Sequence, residues 1–529
     1  MSVAVRLTTG VDIADETFYA SFIDDWLKEG VQASPFITIT QTAALLVYPF
    51  AASYHAIVKS ADGLMLFCRC LYLGCSVAAA VIVNAFLRRL SSSLLGWIVA
   101  ACVVAFIPFG LPAPSYNNFA LQGVLAASCA LGCAAMIRRG TVWMWAAGVA
   151  ATIAVIAYPP MIVPLAVCYA LSVASKTVEI RAVPIAIASI VLGAGGVAAV
   201  LTVHRLQAML GQGAASPGLD PSHRIGVIAH QLTADWRFTA IWLAAILIGI
   251  MRPKLGALAV GAVQCGLLVS VLAIPPPLFI ASHVAVFVIA LSGLGLIADL
   301  RAGDLSRRAL AVVYSTGLIG GVVSTLATSE NGLFNFAIGG FPAAIMALTP
   351  AKDGFARRVA SLAAPLAFMI VMLSSSLAFR YGEIGSATTR ERIATGWYSG
   401  ISATPEEAAI IHTASKALAP LGPRCTMSVV GWPVFYLVSP CVPRALMAYP
   451  INDLAQHAVF QATLRYYSSP ANLPDYVVEY DDRNASFDFP FPDLHNWLDR
   501  YSLAEAYAMP FDGMMRIYRR SVRQDVKSP

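Results

Sequence analysis

Residues 63–87 read GLMLFCRCLYLGCSVAAAVIVNAFL, an apolar run in which Arg69 is the single charged side chain. A helix needs about 20 such residues to cross the hydrocarbon core of a bilayer. Similar runs recur up to residue 379, after which the composition becomes that of a soluble domain. Of the 529 residues, 58% are hydrophobic and 12% are charged, and the mean hydropathy is +0.70. Because soluble domains have about 25% charged residues, the sequence predicts an α-helical polytopic membrane protein with a soluble tail.

Counting the apolar runs against this length predicts about twelve spans. The stretch Tyr158-Pro159-Pro160 falls between two of them; proline can break a single helix, but two spans are the preferred interpretation. We therefore expect an external segment 1–62, a transmembrane domain 63–379 and a soluble domain 380–529. The predicted spans are 63–87, 94–111, 119–137, 142–157, 160–175, 183–203, 239–252, 255–274, 278–298, 309–327, 334–349 and 359–379.

Loop charges predict the orientation, since short cytoplasmic loops retain Lys and Arg while translocated loops tend to lack them. Alternate loops form a basic set and a set poor in Lys and Arg. The segment before the first span and the tail belong with the second set, so both are expected on the extracytoplasmic side. The basic set contains Arg88, Arg89, Arg138, Arg139, Lys176, Arg181, Arg252, Lys254, Arg301, Arg307, Arg308, Lys352, Arg357 and Arg358. The other set comprises loops 112–118, 158–159, 275–277 and 328–333, without Lys or Arg, and the long loop 204–238.

The segment before the first span is acidic, with five carboxylates between residues 12 and 25. Carboxylates at a membrane mouth can act as general bases toward an acceptor hydroxyl or amine when burial or a neighbouring acid raises the pKa. The alternative is an acidic helix start, with Asp15 as N-cap and acids in the first turn. Residues 1–40 contain no apolar run that would carry them across the membrane. We favour a missing first helix over translocation together with the first span.

The residues around this acidic segment resemble the GT-C glycosyltransferases, multi-span enzymes that take a sugar from a polyprenyl-phosphate carrier. In that superfamily an acidic pair is followed by a helix that contains aromatic residues and by a turn. An interfacial helix comes next, and the following span begins with a stretch that runs from a glycine to an arginine. The overall plan also resembles bacterial aminoarabinose and protein mannosyl transferases. One departure is that Ser115-Tyr116-Asn117-Asn118 offers amides where some relatives carry a second acid. The matching stretches here are Asp15-Glu16-Thr17-Phe18-Tyr19, Asp25-Trp26-Leu27-Lys28-Glu29-Gly30, the apolar segment 40–58 and Gly63 through Arg69.

This resemblance implies that Asp15 or Glu16 deprotonates an acceptor, which attacks the sugar's anomeric carbon with inversion while a polyprenyl phosphate leaves. The leaving phosphate needs positive charge or amide donors. For Arg69 the alternative is a helix-end side chain that snorkels to the interface, and for the loop 204–238 it is a connector lying along the bilayer. The candidate substrate-binding residues are Arg69, Tyr116, Asn117, Arg205, Arg224, His230 and Arg237.

The implied partners are the lipid bilayer, a polyprenyl-phosphate sugar and a glycan, lipid or protein acceptor of the cell envelope. The resemblance places the chain in the plasma (inner) membrane. No nucleic acid partner is expected. No cofactor is certain, and a divalent metal stays an open but unsupported alternative. The alternatives are a lipid-linked substrate transporter or flippase, or a non-catalytic scaffold for envelope assembly. Ion-coupled transporters usually carry ionisable residues inside their spans, and the spans here are almost free of them.

The tail after residue 380 is predicted to be an α/β domain. Such a domain could bind the acceptor or a partner, or cap the site, and capping is the preferred interpretation. Thr404-Pro405-Glu406-Glu407 is typical of a helix start, and 427–430, 476–480 and 514–518 are predicted strands. Eight of the ten cysteines lie in apolar spans. The other two, Cys425 and Cys441, could form a disulfide if the compartment is oxidising.

Overall fold

The computed structural model shows a mostly helical chain with a small sheet near its C-terminus. All structural statements refer to the residues that it describes. These are 2–13, 15–31, 42–137, 140–179, parts of 184–195, 221–234, 236–273, 278–327, 331–349, 355–378, 389–444, 469, 472–481 and 498–521.

The helices follow the predicted spans closely. Each predicted span coincides with a helix except 183–203, which lies largely outside the described residues. Tyr158 and the 3-10 turn Pro159–Met161 separate two helices. This agrees with the preferred interpretation, in which the two prolines lie between two spans. The α-helices are Ser2–Thr8, Asp15–Glu29, Thr42–Val58, Leu64–Leu90, Ser93–Ala105, Tyr116–Met136, Thr141–Ala157, Ile162–Ala174, Pro221–Ala234, Trp236–Met251, Ala257–Ala273, Leu278–Leu291, Asp299–Ala302, Leu305–Ala327, Phe336–Ala347, Phe355–Ala378, Pro405–Leu418 and Val434–Leu437.

Few of these helices are long enough to cross a bilayer by themselves. Within the described residues, four are both long and apolar enough, or up to five if a pair bent by 42° counts as one span. A shorter helix such as Ser93–Ala105 rises about 20 Å, which is less than the ~30 Å of hydrocarbon. The prediction of about twelve spans is thus matched in helix positions but not in helix lengths. The four long helices are Leu64–Leu90, Tyr116–Met136, Trp236–Lys254 and Leu305–Ala327, and the bent pair is Ile280–Leu291 with Leu294–Arg301.

The described residues fall into two compact units. The first draws on 1–7, 69–199 and 220–381 and contains most of the apolar helices. The second combines 8–68 with 382–529, so the acidic segment and the C-terminal tail fold together.

Small residues allow two helices of the first unit to approach closely. Gly320 on the helix Leu305–Ala327 faces Gly339 on the helix Phe336–Ala347, and a Cβ at Gly320 would lie 2.6 Å from the carbonyl oxygen of Gly339. Apolar helices in lipid associate through such packing rather than through a hydrophobic force between them. The adjoining core is aromatic, with Phe106 stacked on Phe341 at a ring distance of 4.6 Å.

Contacts within the first unit join loops of the same charge set. Among the loops poor in Lys and Arg, the ring of Tyr116 lies 5.2 Å from that of Tyr158. Close to two such loops in sequence, the backbone N–H of Phe109 donates to Nε2 of His283, on the helix Leu278–Leu291, at 3.2 Å. Arginines of the basic loops contact the ends of helices that adjoin other basic loops. Arg252 donates to the carbonyl oxygens of Ala347 and Thr349, Arg308 donates to that of Ser175, and Arg89 lies 5.6 Å from the ring centroid of Trp143.

The second unit contains a five-stranded mixed sheet. Its strand order is β4-β3-β5-β7-β6, with β3 parallel to both neighbours and β7 antiparallel to β5 and β6. The predicted strands at 427–430, 476–480 and 514–518 are confirmed as β3, β5 and β7. The strands are β1 Glu391–Arg392, β2 Ser402–Ala403, β3 Thr426–Val430, β4 Val442–Pro443, β5 Tyr476–Asp481, β6 Tyr501–Ala508 and β7 Met514–Arg520.

The helix Pro405–Leu418 begins where the sequence predicts. Thr404 is its N-cap and accepts from the N–H of Glu407 at 3.2 Å, while the Glu407 carboxylate accepts from the N–H of Thr404 at 2.9 Å. This reciprocal capping box satisfies two backbone donors that the first helical turn leaves without helical partners.

Candidate functional site

The start of the acidic helix, Asp15–Glu29, is capped by the carboxylate of Asp12, three residues before its first residue. Asp12 accepts from the backbone N–H of Asp15 at 3.1 Å through Oδ1 and from that of Glu16 at 3.0 Å through Oδ2. Both N–H groups lie in the first turn, where a helix provides no carbonyl partner. Asp12 therefore performs the capping that the alternative interpretation assigned to Asp15, and that assignment was wrong.

Burial separates the five carboxylates of this segment. Asp12, Glu16, Asp24 and Asp25 are buried, each with no more than 5% of its surface exposed. Asp15 is half-buried and is the least buried of the five. A general base must be reachable by the substrate and partly shielded from water, and Asp15 meets both conditions best.

Asp24 holds the acidic helix to the tail. Its Oδ1 accepts from the indole Nε1 of Trp397 at 3.2 Å, and its Oδ2 forms a 2.6 Å ion pair with Nζ of Lys28 one turn further on. Burial raises the pKa of the Asp24 carboxyl, an effect that the nearby Lys28 ammonium opposes. These two partners give Asp24 a structural role.

Lys28 extends this anchor to a second part of the tail. Besides the ion pair with Asp24, its ammonium donates to the backbone carbonyl oxygens of Ser439 at 2.9 Å and Cys441 at 3.1 Å. The next residue, Glu29, lies 3.9 Å from Arg444. The C-terminal end of the acidic helix is therefore attached to the segment that leads into β4.

Asp25 faces a buried tyrosine of the tail. Burial raises the pKa of the Tyr436 hydroxyl, and the nearby Asp25 carboxylate raises it further, while a hydrogen bond from the N–H of Val429 lowers it. That bond joins the Val429 nitrogen to the Tyr436 oxygen at 2.8 Å. Tyr436 thus stays neutral at physiological pH and lies near Asp25 on the buried side of the acidic helix.

The strand-like segment before Asp12 is attached to the same domain. The N–H of Gly10 donates to the carbonyl oxygen of Ser402 at 2.7 Å, and Thr9 pairs in parallel with Ser402. The N–H of Val11 donates to the Glu407 carboxylate at 3.4 Å, so Glu407 serves both this segment and its own helix. Both ends of the acidic helix are fixed to the tail.

Arg69 belongs to the first unit and is buried at 2% exposure, which excludes the snorkelling interpretation. Its Nη1 donates to the carbonyl oxygen of Leu7 at 2.9 Å. Arg6, which the sequence interpretation overlooked, is also buried and donates through Nε to the carbonyl oxygen of Gly110 at 3.0 Å. Both arginines thus bind backbone carbonyls around the short helix Ser2–Thr8.

Tyr116 and Asn117 begin the helix Tyr116–Met136, whose N-cap is Ser115. Both side chains are half-buried, and within the described residues the buried Oδ1 of Asn117 has no hydrogen-bond partner. The following residue, Asn118, is committed to structure, since its Nδ2 donates to the carbonyl oxygens of Leu111 at 2.7 Å and Ala113 at 2.5 Å. Within the described residues, the Oδ1 atoms of both Asn117 and Asn118 are therefore buried acceptors without a hydrogen-bond partner.

The remaining predicted binding residues lie in the first unit, apart from one. Arg224 is buried and His230 is exposed on the helix Pro221–Ala234, while Arg237 is exposed at the start of the next helix. Arg205 lies outside the described residues. Within the described residues, no His, Cys, Asp and Glu side chains are grouped in a way that could hold a metal ion.

Comparison with known proteins returns no matching family model and no matching curated protein. Among solved structures, the chain is similar to the archaeal oligosaccharyltransferase AglB from Archaeoglobus fulgidus, in complex with an inhibitory peptide and a dolichol-phosphate. The similarity covers 100% of this chain and 74% of that chain, with 11% sequence identity and a TM-score of 0.43. What this chain does is inferred from its own residues.

Proposed function

We propose that this protein is a membrane glycosyltransferase that moves a sugar from a polyprenyl-phosphate carrier to an acceptor of the cell envelope. One observation carries the proposal: Asp12 caps the acidic helix and leaves Asp15 as the least buried carboxylate of the segment. A rigidly held, partly shielded carboxylate suits a general base for an acceptor hydroxyl or amine.

In the proposed reaction, Asp15 takes the proton of the acceptor as the acceptor oxygen or nitrogen attacks the anomeric carbon. The bond from that carbon to the phosphate oxygen breaks, and the polyprenyl phosphate leaves with the bonding electron pair. Attack opposite the leaving group inverts the anomeric configuration. Glu16 is 1% exposed, so it serves as a neighbouring acid rather than as the group that meets the acceptor.

The leaving phosphate gains negative charge in this step and needs donors of positive charge or hydrogen bonds. We assign this role to the exposed Arg237 and His230, with Tyr116 and Asn117 binding the sugar. Arg69 and Arg224 are buried, and we assign them a supporting role at their helix ends. Arg205 is retained as a candidate on its sequence position alone.

The proposal places the reaction on the extracytoplasmic face of the plasma (inner) membrane, with about twelve crossings of the bilayer. What supports this side is the charge pattern of the loops. In agreement with it, Tyr116 contacts Tyr158 between two loops poor in Lys and Arg, and Arg252 and Arg308 bind helix ends next to other basic loops. The acidic helix and the tail, which fold as one unit, would then share the extracytoplasmic side.

The test is an assay of the purified full chain with radiolabelled polyprenyl-phosphate sugars of several classes and envelope extracts as acceptors. We expect label to move from carrier to acceptor and transfer to be lost in Asp15→Asn. Glu391→Gln is the control, because that carboxylate lies in the same unit but is largely exposed. The proposal fails if carriers bind and no sugar moves, or if Asp15→Asn and Glu16→Gln both leave turnover intact.

A further inference from the structure

The disulfide of the tail joins two residues that directly precede neighbouring strands. Cys425 and Cys441 are bonded, as the sequence allowed, with their Cα atoms 4.8 Å apart. Cys425 precedes β3 and Cys441 precedes β4, and the N–H of Val442 donates to the carbonyl oxygen of Cys425 at 2.9 Å. β4 is only two residues long and lies at the edge of the sheet. The covalent bond therefore holds a strand that has few backbone hydrogen bonds of its own.

The same segment receives the ammonium of Lys28. Its two backbone acceptors, the carbonyl oxygens of Ser439 and Cys441, lie between the helix Val434–Leu437 and β4. The side chain of Lys28 is 24% exposed and that of its ion-pair partner Asp24 is 7% exposed, so both bonds are partly shielded from water. Such charge-assisted bonds depend on the acceptors keeping their positions.

We propose that the Cys425–Cys441 disulfide, whose two cysteines are buried, is a covalent anchor for the acidic helix and that it acts through Lys28. A dithiol reductant supplies two electrons and two protons, the S–S bond becomes two thiols, and the dithiol is oxidised to its own disulfide. The segment 438–441 then loses its covalent attachment to β3, and the Lys28 acceptors lose their fixed position. Lys28 is a positioning residue here. The effect on catalysis rests on the proposed function, whereas the effect on the helix does not.

Hydrogen–deuterium exchange of the full chain in detergent micelles tests this directly. Backbone exchange over 15–29 is compared before and after reduction with dithiothreitol, with mass spectrometry after alkylation showing that both thiols are free. In wild type we expect reduction to speed exchange at the end of the helix about tenfold, the ratio produced by losing a charge-assisted hydrogen bond. In Lys28→Met, exchange is already fast in the oxidised protein, and reduction adds less than about twofold.

Cys70→Ser is the matched control, because Cys70 is an exposed free cysteine, and it should respond to reduction as wild type does. The inference is overturned if full reduction leaves exchange over 15–29 unchanged, or if it speeds exchange equally in wild type and Lys28→Met. Sugar transfer measured on the same samples separates the two proposals. A change in exchange without any transfer activity supports the anchor and contradicts the proposed function. Transfer activity without a change in exchange supports the proposed function and contradicts the anchor.

Discussion

The indole Nε1 of Trp397 donates to Oδ1 of Asp24 at 3.2 Å, although the two residues are 373 positions apart in the chain. Both side chains are buried, and Asp24 is also paired with Lys28. This contact makes the acidic segment and the tail parts of one folded unit. Substitutions in either part should therefore affect the stability of the other.

The pH dependence of stability should reveal the buried Asp24. Burial raises its pKa above the ordinary 3.8, so the folded state binds this proton more tightly than the unfolded state does. The contribution to the free energy of unfolding is then fully present below pH 3.8 and declines as pH rises toward the folded-state pKa. Asp24→Asn lacks this titration. We expect the stability of wild type relative to Asp24→Asn to fall as the pH rises above 3.8, measured by thermal unfolding.

If the stability difference between the two proteins rises with pH over that range, the Lys28 ion pair outweighs burial and the assigned sign is wrong. A difference that is independent of pH would mean that Asp24 does not change its protonation state on folding.

Asp12→Ala should destabilise the second unit by about 1–2 kcal/mol, because two N–H groups of the first helical turn lose their acceptor. Glu391→Ala is the control. Its carboxylate is 57% exposed and lies 3.8 Å from His412, so its loss should change stability by no more than ~0.5 kcal/mol. Thermal unfolding followed by tryptophan fluorescence measures both. Equal losses in the two variants would remove the capping role of Asp12.

Gly320→Ala should destabilise the first unit by roughly 1–3 kcal/mol, because the new methyl group meets the backbone of Gly339 and cannot escape by a rotamer change. Gly266→Ala is matched to it, since Gly266 is also helical and a Cβ there has no neighbour within 4 Å. Retention of the folded state during heating in detergent compares the two variants. The predicted helix contact is absent if both tolerate alanine equally.

Local patterns predict much of this fold. The apolar runs give the positions of the helices, and Thr404-Pro405-Glu406-Glu407 gives the start of the helix Pro405–Leu418, because both signals depend only on residues that are near in sequence. The strand β6, with five successive exposed residues, has no alternation of buried and exposed residues and was missed for that reason.

The site was predicted only in part. The acidic segment makes Asp15 and Glu16 candidates for the catalytic base, but sequence spacing does not distinguish Asp12 from Asp15 as the capping residue. Trp397 and the carbonyls that bind Lys28 could not be found at all, because these contacts join residues hundreds of positions apart. Arg69 was taken for a residue at a membrane mouth, while the carbonyl of Leu7 that it binds has no sequence signal.

The initial rate of sugar transfer by Asp15→Asn, measured beside wild type at saturating donor, tests the central claim most directly. Loss of a general base lowers such rates by about 10²–10⁴-fold, and we predict a fall in that range with unchanged donor binding and unchanged thermal stability. Asp24→Asn, measured alongside, should lose stability before it loses rate. A wild-type rate in Asp15→Asn, from protein that is folded and binds donor, would contradict the assignment of Asp15 as the catalytic base.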